Sequence, residues 1–350
     1  MYRVAIIGQS LGAQIAALAC KASGFQDISR FYGEQNHDPQ RAIHSLGANA
    51  SRLLRALAPE ALEHAGFQPD RYQIRFAKSA YLLAELPLGE FYQQRYGAPL
   101  VNFAVHTLAA YLEEQLGMPM ASATALKNIE ASHELSVLTT PESAPTLQHE
   151  DASFLIYHAR LPDHPLRKAN VLWRGDGQYV EQLSDQTDVH FRFVTRADRP
   201  FDPAQWHESL QPALAAKEAV GGVAAKTYAA SDRLFAGRVA LLHSAVAPPL
   251  AARVDASNTA LEDAWVLSRM LENYEEDVTD ALVAYEQFRR VRSKKLHKIY
   301  WEELRRMTAP VLTSAWRFRL GMALRARFLP ELALQQRDAL HEHDVIRGFR

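Results

Sequence analysis

The first 34 residues constrain this chain more than any other stretch. Tyr2–Ile7 reads as a buried parallel strand, because a strand covered by helices on both faces is apolar almost without interruption. Gly8 ends the run. Leu11, Ile15, Leu18 and Ala22 then recur at helical spacing over residues 10–23, and Gly24 supplies a stop. A second strand follows at Ile28–Tyr32, with Glu34 just past it. Strand, glycine turn, helix, strand and acidic residue is the order of a dinucleotide-binding βαβ unit. Within the frame Gly8-Gln9-Ser10-Leu11-Gly12-Ala13 the first glycine is intact. The second is Ser10 and the third is Ala13, with Gly12 beside it. Ser10 sets a Cβ and a hydroxyl where backbone would otherwise approach a pyrophosphate. Alone, the segment suits a nucleotide-binding turn and a plain βαβ unit equally.

Further along, Ser45–Leu57 and Leu108–Leu116 read as helical and Tyr72–Leu88 as extended. Phe154–Tyr157, Asn170–Trp173, Val189–Val194 and Arg238–Leu242 are strand candidates, and Thr139–Ala144 reads as a loop. From Asn258 onward the pattern is helical. Alternating strands and helices give an α/β class with a mixed second sheet. Hydrophobic residues at 48% and charged residues at 23% suit a soluble globular core. With 39 basic and 40 acidic residues the net charge is −1, so no overall field draws in nucleic acid or an anionic membrane. No apolar stretch reaches the ~18–20 residues of a spanning helix, and the amino-terminal run is too short for a signal peptide. Cys20 is the single cysteine, which rules out an internal disulfide or a cysteine metal site and fits a reducing cytoplasm.

Two short patterns invite chemistry and do not carry it. His243 and Ser244 are adjacent on a strand end, so they point opposite ways and cannot pair as base and nucleophile. His341-Glu342-His343-Asp344 has metal-ligand residues, but a charged chain end explains it more simply, and no metal site is expected.

Three distant segments resemble the FAD-dependent aromatic-ring hydroxylases, particularly the salicylate-hydroxylase-like and ubiquinone-hydroxylase-like members. In Arg41–Leu57, Leu46 and Asn49 match a Leu-x-x-Asn helix of that family. In Asn170–Val180, Asp176 and Gly177 match an Asp-Gly motif that touches the flavin and nicotinamide sides. In Gly237–Leu271, Asn258, Ala260, Leu261, Glu262, Asp263 and Ala264 match the start of a long helix. The resemblance covers nearly the whole chain. It implies a Rossmann-like FAD-binding domain at residues 1–71, 101–183 and 236–300. It also implies an intertwined smaller substrate domain of mixed or antiparallel sheet at 72–100 and 184–235, and a helical region at 301–350. Between Gly177 and Gly237 one strand is expected, so the substrate domain should be reduced and open.

The same resemblance implies the cofactor contacts: Gly8, Ser10, Gly12, Ala13, Glu34, Asn49, Val105, Asp176, Gly177, Ser244, Val254, Ala256 and Asn258. Several depart from the family. Ser10, Val254 and Ala256 replace glycines, Val105 replaces an arginine, and His243-Ser244 replaces Gly-Asp. The implied activity is an FAD-dependent monooxygenase that uses NAD(P)H and O2 on an aromatic or quinone-like molecule; no catalytic residue is singled out. A non-catalytic homologue with weakened FAD binding, serving a ligand, a partner protein or a homodimer, is the alternative.

Overall fold

A computed structural model describes residues 2–32, 43–122, 126–139, 149–199, 202–216, 223–228, 233–242, 256–308 and 337–349. The first elements are β1 (Val4–Ile7), α1 (Leu11–Ala22), β2 (Ile28–Phe31), β3 (Ile43–Leu46), α2 (Ala48–Leu57) and α3 (Ala61–Ala65). A hairpin of β4 (Arg71–Phe76) and β5 (Leu82–Pro87) follows, then α4 (Gly89–Tyr96), β6 (Val101–Ala104), α5 (Val105–Leu116), β7 (Met120–Ala121), α6 (Leu126–Ser132) and β8 (Leu135–Leu138). Next come β9 (His149–Leu161), β10 (Ala169–Arg174), β11 (Gln178–Ser184), β12 (Val189–Arg196), α7 (Gln211–Ala215), β13 (Val223–Tyr228), β14 (Phe235–Ala236) and β15 (Val239–Leu241). Two long helices, α8 (Ala256–Asn273) and α9 (Val278–Met307), complete the set.

The first sheet has the order β14-β15-β8-β1-β2-β7 and is parallel except for the β14–β15 pair. Strand β1 sits at its centre with every residue buried. The chain leaves β1 through α1 to β2 on one side, and β8 later takes the other side. The sheet order therefore reverses between β1 and β8. One face packs Val4, Ile6, Leu135 and Val137 against α1 and α8. The other packs Ala5, Ile7, Leu138 and Leu241 against Ile129 of α6.

The second sheet has the order β13-β9-β12-β11-β10-β4-β5, antiparallel apart from β10 on β4. Alternation sorts its residues to two faces. Trp173, Val180, Phe191 and Phe193 pack with Trp206, Leu210 and Ala213. Leu172, Tyr179, Val194 and Ile156 pack with Leu304 and Trp301 of α9. A small antiparallel pair, β3 with β6, joins the two bodies. There Asn102 on β6 and Asn170 on β10 exchange side-chain amide hydrogen bonds of 2.6 and 3.1 Å, both residues buried.

Three expectations change. Ser45 and Leu46 end a strand rather than begin a helix. The interval 177–237 carries β11, β12, β13 and β14 instead of one strand. Strand β11 escaped notice because Gln178, Gln182 and Ser184 are buried polar residues, which interrupt the apolar pattern. Finally, the sequence boundary at 183/184 does not follow the sheets, since β9, β10 and β11 all belong to the second. Among the described residues no helix is long and apolar enough to cross a membrane.

Candidate functional site

Open α/β sheets take ligands in the crevice beyond the carboxyl ends of their strands, where the strand order reverses. Here that point lies between β1 and β8. Gly8 leaves β1 with φ 131°, a backbone conformation closed to most side chains. Ser10 is the N-cap of α1, and its Oγ accepts from Ala13 N at 3.3 Å. The N–H groups of Leu11 and Gly12, in the first turn, have no carbonyl within the helix to reach. At Gly12 α1 approaches α8 closely: a Cβ there would lie 3.2 Å from the Ala260 Cβ, a tight contact. Ala13 is buried in the core beneath.

Thr139 follows β8 directly and faces Ser10 across the crevice. The Ser10 hydroxyl donates to Thr139 Oγ1 at 3.1 Å, and the Thr139 hydroxyl donates to Ile7 O at 3.1 Å. The sequence pattern predicts a loop from Thr139 onward. The signal that could have found it is the buried run Leu135-Ser136-Val137-Leu138 just before it, which ends as β1 ends.

A second cluster forms where α8 begins. Asn258 spans two elements: its Oδ1 accepts from Gly47 N at 2.8 Å and its Nδ2 donates to Ser45 O at 3.0 Å. His44 of β3 meets Ser257 Oγ at 2.5 Å. Asn49 Nδ2 donates to Glu262 at 2.6 Å. Glu262 also takes Arg292 at 2.9 Å and Arg289 at 2.9 Å, while Asp263 takes Arg289 at 2.6 Å. Burial alone would raise the Glu262 carboxyl, but Arg292 and Arg289 outweigh it and bring it down to about 2. Asn49 and Asn258, expected as cofactor contacts, thus fasten β3, α2 and α8 to one another.

The segment 337–349 straps over this cluster. Arg52 of α2 donates to the His341, Glu342 and His343 carbonyls and pairs with Asp344. Arg95 pairs with Asp338 at 2.8 Å, and the Tyr96 hydroxyl donates to the same carboxylate at 2.7 Å. The ring of His341 lies beside Tyr92 and Tyr96.

The remaining expected contacts fall elsewhere. Asp176 and Gly177 form the β10–β11 turn of the second sheet, closed by Gly175 N donating to Gln178 O at 2.8 Å. Gly177 has φ 72°, and Asp176 pairs with Arg199 at 3.5 Å. They do not lie at the carboxyl end of a strand beside β1, as a motif facing that crevice would. Val105 opens α5 and is buried in the main core, so the residue at this position brings no charge to the helix start. Glu34, Ser244 and Val254 lie outside the described residues, and Ala256 is placed only as the first residue of α8. Among the described residues no three His, Cys, Asp or Glu are grouped to hold a metal ion.

Comparison with solved structures finds this architecture throughout. Klebsiella pneumoniae HpxO complexed with FAD and uric acid superposes with TM-score 0.73 at 17% identity, over 99% of this chain and 94% of that one. The chain has the fold of the FAD-dependent aromatic hydroxylases. A salicylate hydroxylase substrate complex shares this aromatic-hydroxylase fold with TM-score 0.69 at 15% identity, over 97% and 98% of the two chains. So does 2,6-dihydroxypyridine-3-hydroxylase from Arthrobacter nicotinovorans, with TM-score 0.67 at 12% identity, over 91% and 96%. In sequence, 118 residues are 33% identical to 6-hydroxynicotinate 3-monooxygenase of Pseudomonas fluorescens. That match spans 33% of this chain and 30% of that protein. No family model matches.

Proposed function

We propose that this chain is an FAD-dependent monooxygenase acting on an aromatic or quinone-like small molecule, with NAD(P)H and O2 as co-substrates. The observation that carries the reading is the reversal of strand order between β1 and β8, where such sheets take ligands, inside a fold shared end to end with an FAD complex. The body built on the first sheet is the cofactor part in this reading, and the second sheet is the substrate part. FAD, when bound, supplies electron acceptance from a nicotinamide and the activation of oxygen.

The residues fit the pyrophosphate of such a group in shape. Gly8 makes the tight turn, the Leu11 and Gly12 N–H groups face outward from the start of α1, and the helix dipole favours an anion there. These backbone donors are neutral, and Val105 stands where the resemblance puts an arginine. At the start of α8, Asn258 fixes Gly47 and with it the turn between β3 and α2. This chain's part in the chemistry is to bind, orient and keep water out.

The test is direct. The purified full-length chain is expected to show flavin absorption, or to take up added FAD in a fluorescence titration and then oxidise NADH or NADPH faster with an aromatic acid present. A chain that binds no FAD at any accessible concentration sinks the proposal. Ser10 and Val105 favour a second reading, a relative whose hold on FAD has loosened and whose fold serves ligand or partner binding. In that case uptake would be weak and no substrate would quicken nicotinamide oxidation.

A further inference from the structure

Thr139 is 2% exposed, and both hydroxyl protons at the crevice are already spent. That of Ser10 goes to Thr139, and that of Thr139 goes to the Ile7 carbonyl. The two side chains join the turn after β1 to the residue after β8, at the point where strand order reverses. Ser10 also brings a Cβ to the position where a dinucleotide turn needs bare backbone.

We infer that Ser10 and Thr139 form a two-hydroxyl latch across the pyrophosphate seat, so that FAD enters by breaking their hydrogen bond and is held as an exchangeable ligand. The inference rests on reading the crevice as an FAD site. Entry frees the Ser10 proton, which can then turn to a phosphate oxygen. The Thr139 proton stays on Ile7 O, so Thr139 acts through Ser10 and is a positioning residue. Among the described residues of the turn, none that replaces the lost bond is charged. The donors that the turn itself offers are the Leu11 and Gly12 N–H groups and one hydroxyl, and neutral donors bind phosphate about half as strongly as charged ones.

The experiment is FAD titration of the full chain, followed by quenching of flavin fluorescence, for wild type, S10G, T139V and T139S. Melting of each protein without FAD runs alongside. S10G removes the hydroxyl and the Cβ while keeping a tolerated N-cap residue. T139V keeps the volume and removes the bond, whereas T139S keeps the hydroxyl. S10G is expected to tighten FAD binding about tenfold, the equivalent of recovering one good hydrogen bond. T139V is expected to tighten it by a smaller factor and T139S to match wild type, with melting temperatures that do not track affinity. If S10G weakens binding and T139V leaves it unchanged, Ser10 is a plain ligand; the latch is wrong and the FAD reading stands. If S10G fails to fold, the T139V and T139S pair decides alone, and equal affinities overturn the latch. If no protein in the set takes up FAD, the latch and the FAD reading fall together.

Discussion

Single residues at the start of α8 are where this fold is most exposed to damage. Arg289 is completely buried and neutralises Glu262 and Asp263, which are 1% exposed each in their side chains. Arg289→Met would remove the cation that Glu262 and Asp263 share. A buried ion pair broken from one side costs about 3–5 kcal/mol. That loss should appear as a lower midpoint in urea denaturation; a loss under about 1 kcal/mol would mean that the three groups do not share one dry site. The same residues show what a sequence reveals and what it hides. Asn258, Glu262 and Asp263 were legible as a motif because a helix start repeats residue types in order. Their work was not legible, because the partners Gly47, Asn49 and Arg289 are far away in the chain. Asp176-Gly177 has a local use as well: the pair makes a tight hairpin turn, with glycine at positive φ, and only strand pairing tells the two uses apart.

Among the elements, the carboxy-terminal strap gives the sharpest tests. A Cβ on Gly47 would lie 2.0 Å from His341 Nδ1, and the ring's retreat is limited because it packs beside Tyr92 and Tyr96. Gly47→Ala should therefore lift the strap, seen as faster proteolytic clipping after about residue 337 with the rest of the chain intact. Acid should loosen it too. Burial brings the His343 imidazole down to about 4, with Arg292 and Arg289 adding to the effect against Glu262 and Asp344. The folded protein holds this ring neutral while the unfolded chain protonates it near the ordinary value of 6.5. Its contribution is therefore complete above 6.5, fades as pH falls from 6.5 to 4, and is level below that. For a half-buried site the amount is on the order of 1–2 kcal/mol. Thermal melts across that window should slope for wild type and flatten for His343→Gln. Glu262 contributes in a lower window, fully above its ordinary 4.5 and lost as pH falls toward 2. The strap was read as a charged chain end because its contacts are mostly to backbone carbonyls, which leave no residue pattern.

For the whole molecule, the two sheets are coupled at a few identifiable places. Asn102 and Asn170 satisfy each other in the dry seam between β6 and β10. Either one changed to leucine should cost about 1–3 kcal/mol, for the amide left unpaired, and the double variant less than the sum. Additive losses in a denaturation cycle would show the amides to be independent. The first sheet was legible from sequence because parallel buried strands are unbroken apolar runs. The second was read only in part, since its strands hide Gln182, Ser184 and Arg192 inside and so lose the pattern. Helix α9 has 30 residues, about 45 Å of length. Ala281, Leu282 and Tyr285 near its start pack in the main core, and the Tyr285 hydroxyl donates to Leu241 O of β15 at 3.1 Å. Leu304 and Trp301 near its end pack on the second sheet. One stiff rod is thus embedded at either end in a different body. Calorimetry should accordingly record a single endotherm, with van't Hoff and measured enthalpies in agreement, because heat cannot melt one sheet and spare the other while the rod spans both.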